Sequence, residues 1–191
     1  MNKNLALKLI LFISILFMVF STVVFVIAKN YEFLFSTALM IGIIIFFVLL
    51  YKKFRFSVLL LAGFMVLFMA HILGGYVYIN GGRLYDYWIL DGIIKYDFVV
   101  HFFGLFVVTF LVKHFLDIYM SKESGRFILF IFLVFVPLGI SAFHEVLEMF
   151  AKIIFNDTGV GDYWNNALDL LFGLLGSIFA SWLILRKKNK V

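Results

Sequence analysis

Asp97, His101, Glu145, Glu148, Asp162, Asp169 and His71 are set into stretches of sequence that are otherwise almost all hydrocarbon. Carboxylates and imidazoles are ligands for Zn, Mn or Fe, and carboxylate oxygens also suit Mg. An ionisable side chain at membrane depth costs about 2.5–3.5 kcal/mol even on the gentlest insertion scale, so such residues are read by default as functional.

Helical periodicity lets these groups converge. At about 100° per residue, Asp97 and His101 share one face, which Gly104 continues. Ser141, His144, Glu145 and Glu148 lie in one arc of a later helix. Asp162, Asn166, Asp169, Gly173 and Gly176 form a third stripe, with Asn165 at its edge. His71 shares a face with Gly75 and Tyr78. Polar stripes of this kind must face one another or a wet cavity, because lipid leaves them unsatisfied. Carboxylates at close range repel unless a cation or protons neutralise them. The expectation is therefore a divalent metal ion (Zn, Mn, Fe or Mg). Its ligands are drawn from Asp97, His101, Glu145, Glu148, Asp169 and His71. Glu145 and Asp162 are the candidate catalytic groups.

A blander reading competes with this one: a buried polar network that only pins helices together. His144 fits that reading better than a ligand role. His71, near an interface, could simply reach for headgroups. His114 beside Lys113 is expected to do the same, and Asp86, Asp91 and Asp157 are expected to be solvated loop acids. Arg83 is a weak candidate for contacting an anionic headgroup or phosphate.

The elements that must position these residues are transmembrane helices. Of 191 residues, 65% are hydrophobic and 27 are Phe, more apolar surface than a soluble domain of this length can bury. Six apolar stretches reach the roughly 20 residues needed to cross a hydrocarbon core. They lie near 5–28, 33–51, 56–79, 96–116, 127–155 and 163–185, within one integral-membrane domain covering 1–191. The fold class expected is an all-α, polytopic membrane helix bundle. The first stretch exceeds the 7–15 residues of a signal-peptide core, which favours a retained anchor. The segment between the third and fourth stretches contains Asn80-Gly81-Gly82-Arg83 and several aromatics, and could fold over the mouth of the bundle. Pro137 is expected to kink the fifth helix just before its acidic turn.

Of 16 Lys and Arg, only Lys29, Arg83, Lys95 and Lys152 fall on one side of this arrangement. Basic residues stay cytoplasmic, so both termini are expected in the cytoplasm of a cell-membrane, multi-pass protein. The acids run the other way: only Asp117 and Glu123 fall on the basic side. The outward face therefore attracts cations. The sequence pI near 9.4 reflects topology and contact with anionic membrane lipids; no nucleic-acid partner is expected. With no Cys, disulfides, thiolate metal sites and Cys nucleophiles are excluded. His144-Glu145-Val146-Leu147-Glu148 lacks the second helical histidine of a zincin, and neither a Walker loop nor a Gly-x-Ser-x-Gly elbow is present. Asn156-Asp157-Thr158 is formally a glycosylation sequon, without a supporting context.

Residues from about 71 to 181 resemble the YjdF-like family of uncharacterised inner-membrane proteins. The resemblance rests on Tyr96-Asp97-Phe98-Val99-Val100-His101, on Ser141-Ala142-Phe143-His144-Glu145-Val146-Leu147-Glu148, and on Gly161-Asp162-Tyr163-Trp164-Asn165-Asn166-Ala167-Leu168-Asp169. It implies a role for Asp97, His101, Glu145, Glu148, Asp162 and Asp169. His144 stands where the family pattern has Tyr, and Asn165 where it has Asp. The Gly-rich last helix is also loosely similar to VanZ-like proteins of glycopeptide tolerance.

Together these readings favour a metal-dependent intramembrane hydrolase or transferase acting on a lipid or lipid-linked envelope substrate. A cation or proton-coupled transporter is the alternative. So is a non-enzymatic envelope or antibiotic-tolerance factor.

Overall fold

A computed structural model describes residues 2–120, 125–155 and 161–187, with the side chain of Lys187 excepted. Lys122, Glu123, Asp157, Lys188, Lys190 and the sequon at 156–158 lie outside the described residues. Among the described residues, six helices are long and apolar enough to cross a membrane, and they fall on the six apolar stretches of the sequence. They are α1 (Lys3–Ile27), α2 (Tyr31–Phe54), α3 (Val58–Tyr76), α4 (Tyr96–Tyr119), α5 (Arg126–Ile154) and α6 (Tyr163–Lys187). The chain groups into two compact units.

The first unit holds residues 1–85 and 148–160, and so contains α1, α2, α3 and the last turns of α5. Local chemistry starts each helix. The Asn2 side chain accepts from the Asn4 amide at 3.0 Å, Asn30 from Phe33 at 3.2 Å, and Ser57 from Leu60 at 3.1 Å. Each satisfies an amide that the helix itself leaves free. The link after α3 is a small hairpin. Strands β1 (Tyr78–Ile79) and β2 (Gly82–Arg83) pair antiparallel. Asn80 and Gly81 both have positive φ, as a two-residue type I′ turn demands. From this turn Arg83 reaches Glu32 at the start of α2, at 3.0 Å. The Arg83 expected to meet an anionic headgroup is therefore paired within the protein. Gly75 lets α3 approach the Phe33 ring so closely that a Cβ there would overlap it.

The second unit holds residues 86–147 and 161–191. A second antiparallel hairpin, β3 (Trp88–Leu90) and β4 (Ile94–Lys95), feeds directly into α4. The segment expected as one loop thus forms two hairpins, one in each unit. Within this unit α4 and α6 pack through small residues, as membrane helices do when backbones must approach. A Cβ on Gly176 would overlap the Phe102 carbonyl oxygen, and one on Gly173 would stand 2.8 Å from Leu105. Phe98 stacks on Phe172 at 4.8 Å between centroids, one turn from the polar groups described below. Val112, Leu129, Leu133 and Ile184 bring α4, α5 and α6 together in one buried cluster. α5 continues as an α-helix through the buried Pro137.

Candidate metal centre

Asp97 and His101 are one turn apart on α4, Glu145 lies on α5 and Asp169 on α6. The structure brings these four together. The His101 ring is the centre of the group. Its Nε2 stands 3.3 Å from Asp97 Oδ1 and 4.0 Å from Asp169 Oδ1. Its Nδ1 faces Glu145 Oε1 at 4.0 Å. Asp97, Glu145 and Asp169 are 5%, 8% and 3% exposed. Three buried carboxylates around one imidazole are costly without a compensating cation or proton.

Two observations bear on whether a metal fits. One ligand atom each from Asp97, His101 and Asp169 can be chosen so that all lie within 4.8 Å of one another. Small rotamer changes would close that spacing around a cation with bonds of about 2.0–2.2 Å. In addition, Asp169 Oδ1 and both Glu145 oxygens are buried without a hydrogen-bond partner among the described residues. A donor set of two carboxylates and one imidazole nitrogen suits Zn, Mn or Fe.

Asn165 bridges the carboxylates. Its Nδ2 donates to Asp169 Oδ2 at 2.7 Å and to Asp97 Oδ2 at 3.3 Å. Its Oδ1 accepts from Lys95 Nζ at 3.2 Å. Sequence reasoning left this residue at the edge of the stripe. The usable signal was its spacing of four residues from Asp169, one helical turn. Gly161 leaves room for it: a Cβ there would lie 2.5 Å from that of Asn165.

Asp162 takes a different place. It is exposed and precedes α6, and its Oδ1 accepts from the Asn165 amide at 2.9 Å. That is a helix cap, and the carboxylate also faces the positive end of the helix dipole. The cap fixes the first turn of α6, which carries Asn165. Of the remaining candidates, His144 and Glu148 each offer a ligand atom within 4.8 Å of the other and of one on Glu145, one turn of α5. His144, next to Glu145, places its ring 6.3 Å from that of His101. Glu148 follows on α5 and belongs to the first unit. So does His71, whose Nδ1 meets the Tyr85 hydroxyl at 3.1 Å and whose ring packs on Phe33.

Six apolar helices with a buried carboxylate–histidine group define a multi-pass integral membrane protein with a candidate cation site. Residues 9–190 match the family described as "Predicted membrane protein (DUF2238)", and the chain belongs to that family. The YjdF-like resemblance fits this assignment, while the match does not extend to VanZ-like proteins. No curated protein and no solved structure matches the chain.

Proposed function

We propose that the protein is a metal-dependent membrane enzyme, a hydrolase or transferase acting on a lipid or lipid-linked substrate. The observation that carries this reading is the His101 ring, held between carboxylates from three helices. Asp97, His101 Nε2 and Asp169 would hold the metal. Glu145, facing the opposite ring nitrogen, would accept a hydrogen bond from Nδ1–H and keep Nε2 free to ligate. Carboxylates commonly orient metal-bound imidazoles in this way. The group supplied by the metal would be an activated water or a polarised phosphoryl or acyl oxygen. The substrate class is read from the setting: Asp97 lies in the first turn of α4 and Asp169 in the second turn of α6, and a hairpin carrying Trp88 leads into α4.

Transport needs a continuous polar path through the helices. Among the described residues, the close packing of Gly173 and Gly176 against Leu105 and Phe102 gives little room for one between α4 and α6. The enzyme reading is preferred for that reason.

The test is elemental analysis of the detergent-purified protein beside Asp169→Ala, followed by incubation with a membrane lipid extract with and without chelator. Bound metal that disappears in the variant, together with chelator-sensitive conversion of a lipid, is the expected result. Metal-free protein of intact fold would end the metal reading. Cation flux in proteoliposomes, abolished by Asp169→Asn, would put transport first.

A further inference from the structure

Lys95 is the last residue of β4 and immediately precedes α4. Cross-strand register pairs it with Trp88. Its Nζ lies 5.3 Å from the Trp88 ring centroid and 6.0 Å from that of Phe98. Two aromatic faces thus hold the ammonium in place. Its bond to Asn165 Oδ1, at 3.2 Å, occupies one of three donors. Through the same amide, Asn165 reaches Asp97 and Asp169. One amide group therefore separates a positioned cation from the two carboxylates assigned to the metal.

We infer that Lys95 is the anion-binding residue of this site, and that its ligand is a phosphoryl group. The inference rests on the metal reading above and adds the substrate class. Charge argues for it. Ionised Asp97, Asp169 and Glu145 carry three negative charges against two positive on a divalent ion. The excess repels an anionic substrate, and Lys95 cancels it. Charge also argues for a phosphoryl rather than a carboxylate. A phosphoryl group brings three acceptor oxygens and up to about two negative charges to share between the metal and Lys95, where a carboxylate brings two oxygens and one charge. Lysine serves phosphate as a compact charge with rotatable donors, where arginine offers a fixed fork.

A lipid headgroup and free phosphate share this chemistry, and the experiment separates them. Full-length protein in a phosphate-free maltoside, supplied with Mn, is titrated with inorganic phosphate and separately with dihexanoyl phosphatidic acid. Wild type, Lys95→Gln and Lys95→Met are compared, the last keeping an unbranched stem over Trp88. Metal content is measured in each. The expected result is an unchanged metal content in both variants and at least a tenfold loss of phosphoryl affinity. Tighter binding of the phosphatidic acid than of phosphate identifies the lipid as the source; equal binding identifies the free anion.

Undiminished affinity in both variants overturns the proposal. So does absence of binding by metal-loaded wild type. Loss of metal together with affinity overturns it too, since Lys95 would then serve only to balance the carboxylates. If wild type binds no metal, the metal reading falls, and the loss or retention of phosphoryl affinity on Lys95 substitution still decides this one.

Discussion

Nδ1 of His101 faces Oε1 of Glu145 at 4.0 Å, while the other nitrogen of the same ring faces Asp97 and Asp169. The two sides of one imidazole thus separate Glu145 from the other carboxylates. A residue that orients a ligand and a residue that is a ligand differ in what their removal does.

Glu145→Gln is expected to weaken metal affinity by about 10–100-fold without abolishing binding, the usual effect of losing a partner behind a metal-bound imidazole. Asp97→Asn and Asp169→Asn should abolish it at micromolar metal. Metal titration of the three variants in detergent checks this. Equal losses in all three would make Glu145 a ligand instead.

Asn165 donates a hydrogen bond to each of two carboxylates, Asp97 and Asp169. Asn165→Ala should lower the stability of the metal-free protein by roughly 1–3 kcal/mol, the cost of leaving buried acceptors unsatisfied. Asn165→Asp should lower it as well, but should gain more stability than wild type when a divalent ion is added. Thermal denaturation with and without metal distinguishes the two substitutions.

Asp162→Ala should cost about 1 kcal/mol, as the loss of a helix cap does. Its metal content should stay at the wild-type level. A stoichiometric loss of metal would give Asp162 a part in the site beyond the helix cap, as the catalytic role expected from the sequence requires.

Gly176→Ala should destabilise the protein by about 1–3 kcal/mol, since its Cβ meets the Phe102 carbonyl and the backbones must separate. Gly139→Ala on α5 is the control. Nothing lies within 4 Å of its added methyl, so the change should be neutral or raise stability by about 0.5–1 kcal/mol. Unfolding midpoints of the two variants in the same detergent test the contrast.

The helices were legible because membrane spans obey a length and composition rule that needs no knowledge of neighbours. The convergence of Asp97, His101, Glu145 and Asp169 followed from helical phase, which identifies the face of each helix. Phase says nothing about which helix stands opposite. Hence Glu148 and Glu145, three residues apart, share one face of α5, and phase alone does not say which of them meets His101. The bridging amide of Asn165 was hidden for a related reason. A neutral residue at the edge of an acidic stripe reads as a gap in the pattern until its two acceptors are seen. The hairpins were missed because strands of two or three residues are too short to show a period. Asn80-Gly81 was nevertheless a strong turn signal.

The first of those hairpins also bears on the order of assembly. Apolar helices of the length of α2 and α3 are stable in a bilayer individually, because their backbone bonds are internal. The contact between Glu32 and Arg83 spans 51 residues of chain, yet most of that separation lies in helices already inserted. Little remains for this ion pair to bring together beyond a short hairpin, so its closure carries a small entropy cost. It ties the hairpin after α3 to the first turn of α2. Cutting it with Arg83→Gln would leave the number of membrane crossings as it was.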